Sequence, residues 1–223
     1  TYLSGVTNTL SNHFKLIARV VDTTFFSNIT SKSILDIGSN DGTQLKHYQD
    51  LGWDVLGVES SITTAKLAND NNIKTLEKFF NLETMMDIDR KFDVINASGV
   101  FFHLEELHSV TEGIKLGLKD EGVFVVQFLY MKNIMENNAF DQIYHEHLLY
   151  YSLKTLTQLL SKYKLEIFDA QLTSVHGGQM IAYVSHTNKR KKTSRLTKLE
   201  LAEEISQCNN INTYIDFNLR IKN

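Results

Sequence analysis

The sequence predicts an α/β fold: a doubly wound, mostly parallel sheet with an antiparallel last strand. Two observations predict it. Short, nearly unbroken apolar runs alternate with stretches of helical periodicity from residue 33 to residue 128. The last two apolar runs are then joined only by a short turn through His176, Gly177 and Gly178. Strands covered on both faces read as continuous apolar runs, and the helices between them are the crossovers that parallel pairing requires.

Element by element, residues 8–26 carry Leu10, Phe14, Ile17, Val20 and Val21 at helical spacing, so an amphipathic lead-in helix is expected. Residues 33–38 form the first strand and 54–59 the second, and residues 92–97 and 123–128 form two more, with a weaker strand near 73–76. Helical periodicity fills 42–51, 61–71 and 104–118. Residues 129–151 make a long connection, of a length that is usually functional inside a compact domain. Ser152 suits the N-cap of a helix running to about Tyr163. Residues 165–170 and 180–184 are the last strands, and the turn between them is too short for a crossover, so they should pair antiparallel. The basic run 189–192 reads as a solvated linker. Beyond it, Leu201, Ile205, Cys208, Ile215 and Leu219 form a helix-periodic stripe that needs a partner. The expected organisation is a helical lead-in over 1–30, a main domain over 31–188, and a linker with the start of a helical region over 189–223. A start at Thr1 and an end in mid-pattern at Asn223 suit a piece of a longer protein.

Composition narrows the function classes. A hydrophobic fraction of 42% over 223 residues supports a real core. A net charge of −3 gives no electrostatic reason to expect nucleic acid or an anionic membrane as partner. No apolar run approaches the roughly 20 residues that a bilayer span needs. The single cysteine, Cys208, excludes an internal disulfide and suits a reducing cytoplasm. With no proline in the chain, turns rely on Gly, Asn, Asp and Ser. Nothing here specifies an oligomeric state.

The turn from first strand to first helix reads Asp36-Ile37-Gly38-Ser39-Asn40-Asp41-Gly42. Glycines at such a turn let the backbone approach a ligand closely. A dinucleotide fingerprint needs three glycines, and only Gly38 and Gly42 are present, with carboxylates at Asp36 and Asp41. Two acids beside the loop disfavour a pyrophosphate and accept a cation. S-adenosylmethionine, with its sulfonium and ammonium groups and no phosphate, is such a ligand. Glu59 ends the second strand, where a carboxylate can accept hydrogen bonds from ribose hydroxyls. Phe79 follows the weaker strand, next to Phe80; either ring suits adenine or the core equally well.

The loop resembles the first motif of class I methyltransferases, a Rossmann-like fold. More narrowly, Ser4-Gly5, Thr9-Leu10 and His13-Phe14, Gly57-Val58-Glu59, Tyr144-His145-Glu146-His147-Leu148 and His176-Gly177-Gly178 resemble the S-adenosylmethionine-dependent C-methyltransferases of nucleotide-linked deoxysugars. The resemblance runs along the whole chain. It implies S-adenosylmethionine as cofactor, held by Asp36, Gly38, Ser39, Asn40, Gly42, Glu59 and Phe79, with Ala97 and Ser98 at the end of the fourth strand. It also implies Tyr2 and His176 on the substrate side, and a nucleotide-linked keto-sugar as substrate. Relatives carry a cysteine-rich zinc module upstream and a further domain downstream. Gly99 departs from the asparagine common in relatives.

In doubly wound sheets ligands sit outside the carboxyl ends of the strands. Glu59, His103, the Tyr144–His147 run and His176 all follow strands, so all are expected at that edge. The run itself admits three readings. A metal site is disfavoured by spacing, since His145 and His147 are two apart and the zinc helix motif needs a four-residue step. It would need a third ligand such as His103 or His176. A satisfied structural cluster is the second reading. Acid–base chemistry is the preferred third, because an imidazole titrates near neutral pH and a phenol beside it can stabilise an oxyanion.

Methylating carbon beside a ketone requires a base and a group to hold the enolate. The expected roles are His147 as base, Tyr144 as donor to the enolate oxygen, Glu146 as orienter of the imidazole or as substrate ligand, and His103 as a second base candidate. No metal is needed. Two other functions stay open: methylation of oxygen or nitrogen on a small molecule, and a non-catalytic module that binds S-adenosylmethionine.

Overall fold

The computed structural model describes Leu3 and residues 8–174 and 178–222. The elements in chain order are α1 (Asn8–Phe25), β1 (Ser33–Ile37), α2 (Thr43–Gln49), β2 (Asp54–Glu59), α3 (Ile62–Asp70), β3 (Thr75–Glu77), α4 (Leu82–Ile88) and β4 (Phe92–Ser98). There follow α5 (Leu107–Gly117), β5 (Leu118–Leu129), α6 (Met131–Glu136), α7 (Leu153–Ser161), β6 (Leu165–Thr173), β7 (Gln179–His186), α8 (Ser194–Ser206) and α9 (Ile211–Lys222). The strands form a seven-stranded sheet in the order β3-β2-β1-β4-β5-β7-β6. β1 pairs parallel with β2 and β4, β2 pairs parallel with β3, and β6 and β7 pair antiparallel. The expected architecture is therefore present, including the antiparallel end.

The chain divides into two compact units, residues 1–97 with 108–124, and residues 98–107 with 125–223. In the first, β1 is buried at every position. Leu10, Phe14, Ile17 and Val21 give α1 its buried stripe, and Leu45 and Tyr48 give α2 another. Trp53 lies edge-on to Phe26 and Tyr48, and its indole N–H donates to Asp22 at 2.8 Å, so the polar end of this buried ring is satisfied. Helix α4 was not expected. It has seven residues with two buried, so it shows almost no periodicity, and its one local signal is Asn81, whose side chain accepts the Thr84 N–H.

In the second unit the 129–151 connection is more ordered than its expected role as a long loop. It contains α6 and a short 3-10 turn, Phe140–Gln142, and Tyr130 bridges Tyr151 in a parallel sense. Ser152 caps α7 as expected, in a reciprocal capping box with Thr155. Glu203 of α8 is buried, yet its carboxylate accepts from the Leu153 and Lys154 N–H groups, the Tyr130 hydroxyl and the Asn209 amide. A buried acid is tolerated only when bonded in this way. Burial, with Glu203 adding to it, drives the Tyr130 phenol far above its ordinary range. The C-terminal stripe divides: Cys208 is buried, while Leu201, Ile205, Ile215 and Leu219 are exposed. The helix breaks at Gln207, which is left-handed at φ 55°. Among the described residues no helix is long and apolar enough to cross a membrane.

Candidate active site

The first unit contains the nucleotide loop. Asp36 lies in β1, paired in register with Gly57 of β2 and Asn96 of β4. The chain then turns through left-handed residues at Gly38, Asn40 and Gly42, with φ of 66°, 50° and 78°. Gly42 meets a second constraint, since a Cβ there would lie 3.0 Å from Ile73. The amides of Gly38 and Ser39 both donate to the Val58 carbonyl, at 2.8 and 3.2 Å, which fastens the loop to β2. Glu59 completes the fastening: one carboxylate oxygen accepts the Asn40 N–H at 2.9 Å and the other the Ser61 N–H at 2.8 Å. An ionised carboxylate offers about four acceptor positions, so Glu59 both shapes the loop and retains capacity for hydroxyl donors. Asp41 has a local task, accepting from the Thr43 amide and hydroxyl at the start of α2.

The Ser39 side chain lies over Gly57, where a Cβ would be 2.4 Å from its hydroxyl oxygen. That hydroxyl is buried and has no hydrogen-bond partner among the described residues. Gly57 is required by this close approach. Phe80 is core at 6% exposed, whereas Phe79 is 77% exposed. Because Glu59 pairs with Glu77, Phe79 lies just beyond the strand end that carries Glu59, which leaves Phe79 as the ring available to a base. Ala97 is fully buried in β4. The donor set is acidic and the loop lacks a basic side chain, a chemistry that fits a cationic nucleoside better than a phosphate.

Burial pushes the Asp36 carboxyl from its ordinary 3.8 up to about 7, opposed by the hydrogen bond from Asn96 and assisted by the charge on Glu59. The folded chain thus holds this proton more tightly than the unfolded chain does. The resulting stabilisation is complete below the unfolded value and is lost as pH rises through about 7. Asp36→Asn keeps an oxygen for Asn96 and never ionises. Its melting temperature is expected to gain on the wild type as pH is raised from about 5 to about 8; a difference independent of pH would contradict this account.

The second unit brings together the rings of three of the four expected catalytic residues in one cluster. The Tyr144 and His147 ring centroids are 4.1 Å apart, and those of His103 and His147 are 5.1 Å apart. The buried Phe102 ring touches both imidazoles, at 4.5 and 4.7 Å. His147 Nδ1 donates to the Gln142 carbonyl at 2.7 Å, and His103 Nδ1 donates to the Glu146 carbonyl. A carbonyl only accepts, so both rings carry a hydrogen on Nδ1, and in the neutral imidazole the lone pair is then on Nε2. Both Leu148 and Leu149 donate N–H to the Phe102 carbonyl, which ties the two segments together. Glu146 thus orients an imidazole through its main chain, and the imidazole is His103; its own carboxylate is exposed. Ser98 belongs to this unit as well. Tyr2 and His176 lie outside the described residues. Among the described residues no three His, Cys, Asp or Glu side chains converge as a metal-binding group.

A parallel sheet with a glycine turn and acid after β1 and β2 defines a class I, S-adenosylmethionine-dependent methyltransferase domain. The family model described as a methyltransferase domain matches residues 10–170, and the chain belongs to that family. Its cofactor is S-adenosylmethionine. Among characterised relatives, the C-methyltransferase NovU of Streptomyces niveus is 29% identical over 177 residues, a stretch covering 78% of this chain and 42% of NovU. The chain therefore spans less than half the length of that relative. Among solved structures, the magnesium protoporphyrin IX methyltransferase of Synechocystis PCC 6803 with bound SAH has a TM-score of 0.62 at 11% identity, covering 81% of this chain and 88% of that one. The CcbJ methyltransferase of Streptomyces caelestis has a TM-score of 0.61 at 14% identity, covering 78% and 89%. These likenesses establish the fold.

Proposed function

We propose that the chain is the cofactor-binding part of a C-methyltransferase that acts beside the ketone of a nucleotide-linked keto-deoxysugar. The observation that carries this reading is the cluster of His103, Tyr144 and His147, with both imidazoles held as Nδ1–H tautomers by main-chain carbonyls. Oxygen and nitrogen already carry a lone pair for the methyl group, whereas carbon must first lose a proton. A C–H beside a ketone is a weak acid, so the reaction needs a base together with a donor for the developing oxyanion.

In this reading His147 Nε2 takes the proton and the Tyr144 hydroxyl donates to the enolate oxygen. His103 fixes the turn through Glu146 and is the second candidate base, and the Glu146 carboxylate binds substrate. Tyr2 and His176 are assigned to substrate as well. The cofactor supplies an electrophilic methyl group on a sulfonium sulfur. Asp36, Gly38, Ser39, Asn40, Gly42, Glu59, Phe79, Ala97 and Ser98 are the residues proposed to hold it, with positioning supplying much of the rate. The name of the relative NovU, a C-methyltransferase, supports carbon as the acceptor. The test is transfer of a carbon-13 methyl from labelled S-adenosylmethionine to a nucleoside-diphosphate 4-keto-deoxyhexose, read by NMR. A methyl on the carbon beside the ketone is expected; a methyl on oxygen or nitrogen would overturn the proposal.

A further inference from the structure

The Gln142 carbonyl oxygen that sets the His147 tautomer also accepts a second donor, the Tyr150 hydroxyl, at 3.3 Å. A carbonyl oxygen has two lone pairs, so both bonds coexist. Burial pushes this phenol up, and the Tyr144 backbone acts against that push. One side-chain oxygen thus reaches back to Gln142, where the turn that carries Tyr144 and His147 begins. The Tyr150 ring also stands edge-on to His147, with centroids 6.4 Å apart. Residue 150 is itself anchored, because the two preceding amides, of Leu148 and Leu149, both bond to the Phe102 carbonyl.

We infer that Tyr150 is a positioning residue for His147, acting through the Gln142 carbonyl that both side chains share; the inference rests on the reading of His147 as the base. A ring alone would suffice to fill space at position 150. The hydroxyl is placed on an oxygen that accepts the His147 Nδ1 hydrogen. Without the hydroxyl the Gln142 carbonyl is held by the Ile143 N–H bond to the Phe140 carbonyl and by His147 itself, so the acceptor that selects Nδ1–H is less firmly fixed.

Tyr150→Phe keeps the ring and removes only the hydroxyl. In histidine-labelled protein, nitrogen-15 NMR of the wild type is expected to show His147 as a single Nδ1–H tautomer. Tyr150→Phe is expected to show a mixture with Nε2–H, with the His186 signals, the melting temperature and S-adenosylmethionine affinity unchanged. Methyl transfer should fall about tenfold, the scale of one lost hydrogen bond. An Nε2–H tautomer in the wild type, a Tyr150→Phe spectrum identical to it, or a Tyr150→Phe chain that fails to fold and so shows a structural brace alone would each overturn the inference. The base reading fails separately, if His147→Ala retains methyl transfer while the tautomer result stands.

Discussion

His147→Ala is expected to lower methyl transfer to a nucleotide-linked keto-sugar by about a thousandfold, while S-adenosylmethionine affinity stays within about twofold of the wild type. General-base removal of a proton typically contributes about 10² to 10⁴ in rate. Here the imidazole is fixed by a 2.7 Å bond to Gln142 and by contact with Phe102 and Tyr144, so little reorganisation precedes proton transfer. The cofactor loop is built on β1 and β2, in the other compact unit, and is fastened there by its own bonds to Val58 and Glu59. Affinity and turnover should therefore separate, as calorimetry and a labelled-methyl assay would show. Equal loss of both would point to a structural role for His147. Full activity in His147→Ala would shift the base assignment to His103, the other ring held as Nδ1–H.

Glu59→Gln is expected to weaken S-adenosylmethionine binding by about a hundredfold, with turnover at saturating cofactor close to the wild type. The carboxylate accepts two amide hydrogens, one on each oxygen, from Asn40 and Ser61. A glutamine offers one acceptor oxygen and turns an NH₂ group toward the other amide, so a donor faces a donor. A hydrogen bond to a charged group contributes about 1.5–3 kcal/mol, and the loop that it shapes would be released at the left-handed Asn40. Loss of an acceptor for ribose hydroxyls adds to this, for a total of about 3 kcal/mol, which is the hundredfold stated. Isothermal calorimetry with S-adenosylhomocysteine measures the effect directly. An unchanged dissociation constant would remove Glu59 from the cofactor site.

Some parts of this molecule can be read from sequence because their cause is local. β2 falls on the expected residues, Asp54–Glu59, since an apolar run is bounded on both sides by polar turns. The Ser152 cap and the antiparallel β6–β7 pair follow from equally local chemistry. β5 begins five residues earlier than expected, at Leu118, because Lys119, Asp120 and Glu121 offer no apolar pattern at a sparsely covered strand start. Helix α6 buries Met131, Ile134 and Met135 at helical spacing, but six residues are too few for periodicity to stand out.

The site shows the same division. That Gly38 and Gly42 turn a strand into a helix beside Glu59 is evident from order along the chain. That the Ser39 hydroxyl faces Gly57 is not, because the contact joins the turn after β1 to the neighbouring strand β2. Adjacent residues leaving a strand point to opposite sides, so one of Phe79 and Phe80 had to be core; the surroundings decide that it is Phe80. The Tyr-His-Glu-His run is visible in the sequence, yet the groups that fix its nitrogens are main-chain carbonyls, which no residue identity reveals. The bond from His103 to the Glu146 carbonyl joins residues 43 positions apart.

The most direct measurement concerns the proton and leaves the methyl group aside. With S-adenosylhomocysteine bound and a nucleoside-diphosphate 4-keto-deoxyhexose in deuterium oxide, the wild-type protein should exchange the hydrogen on the carbon beside the ketone, and His147→Ala should not. Equal exchange by both proteins, or none above the rate in buffer alone, would contradict an enolate formed by this imidazole.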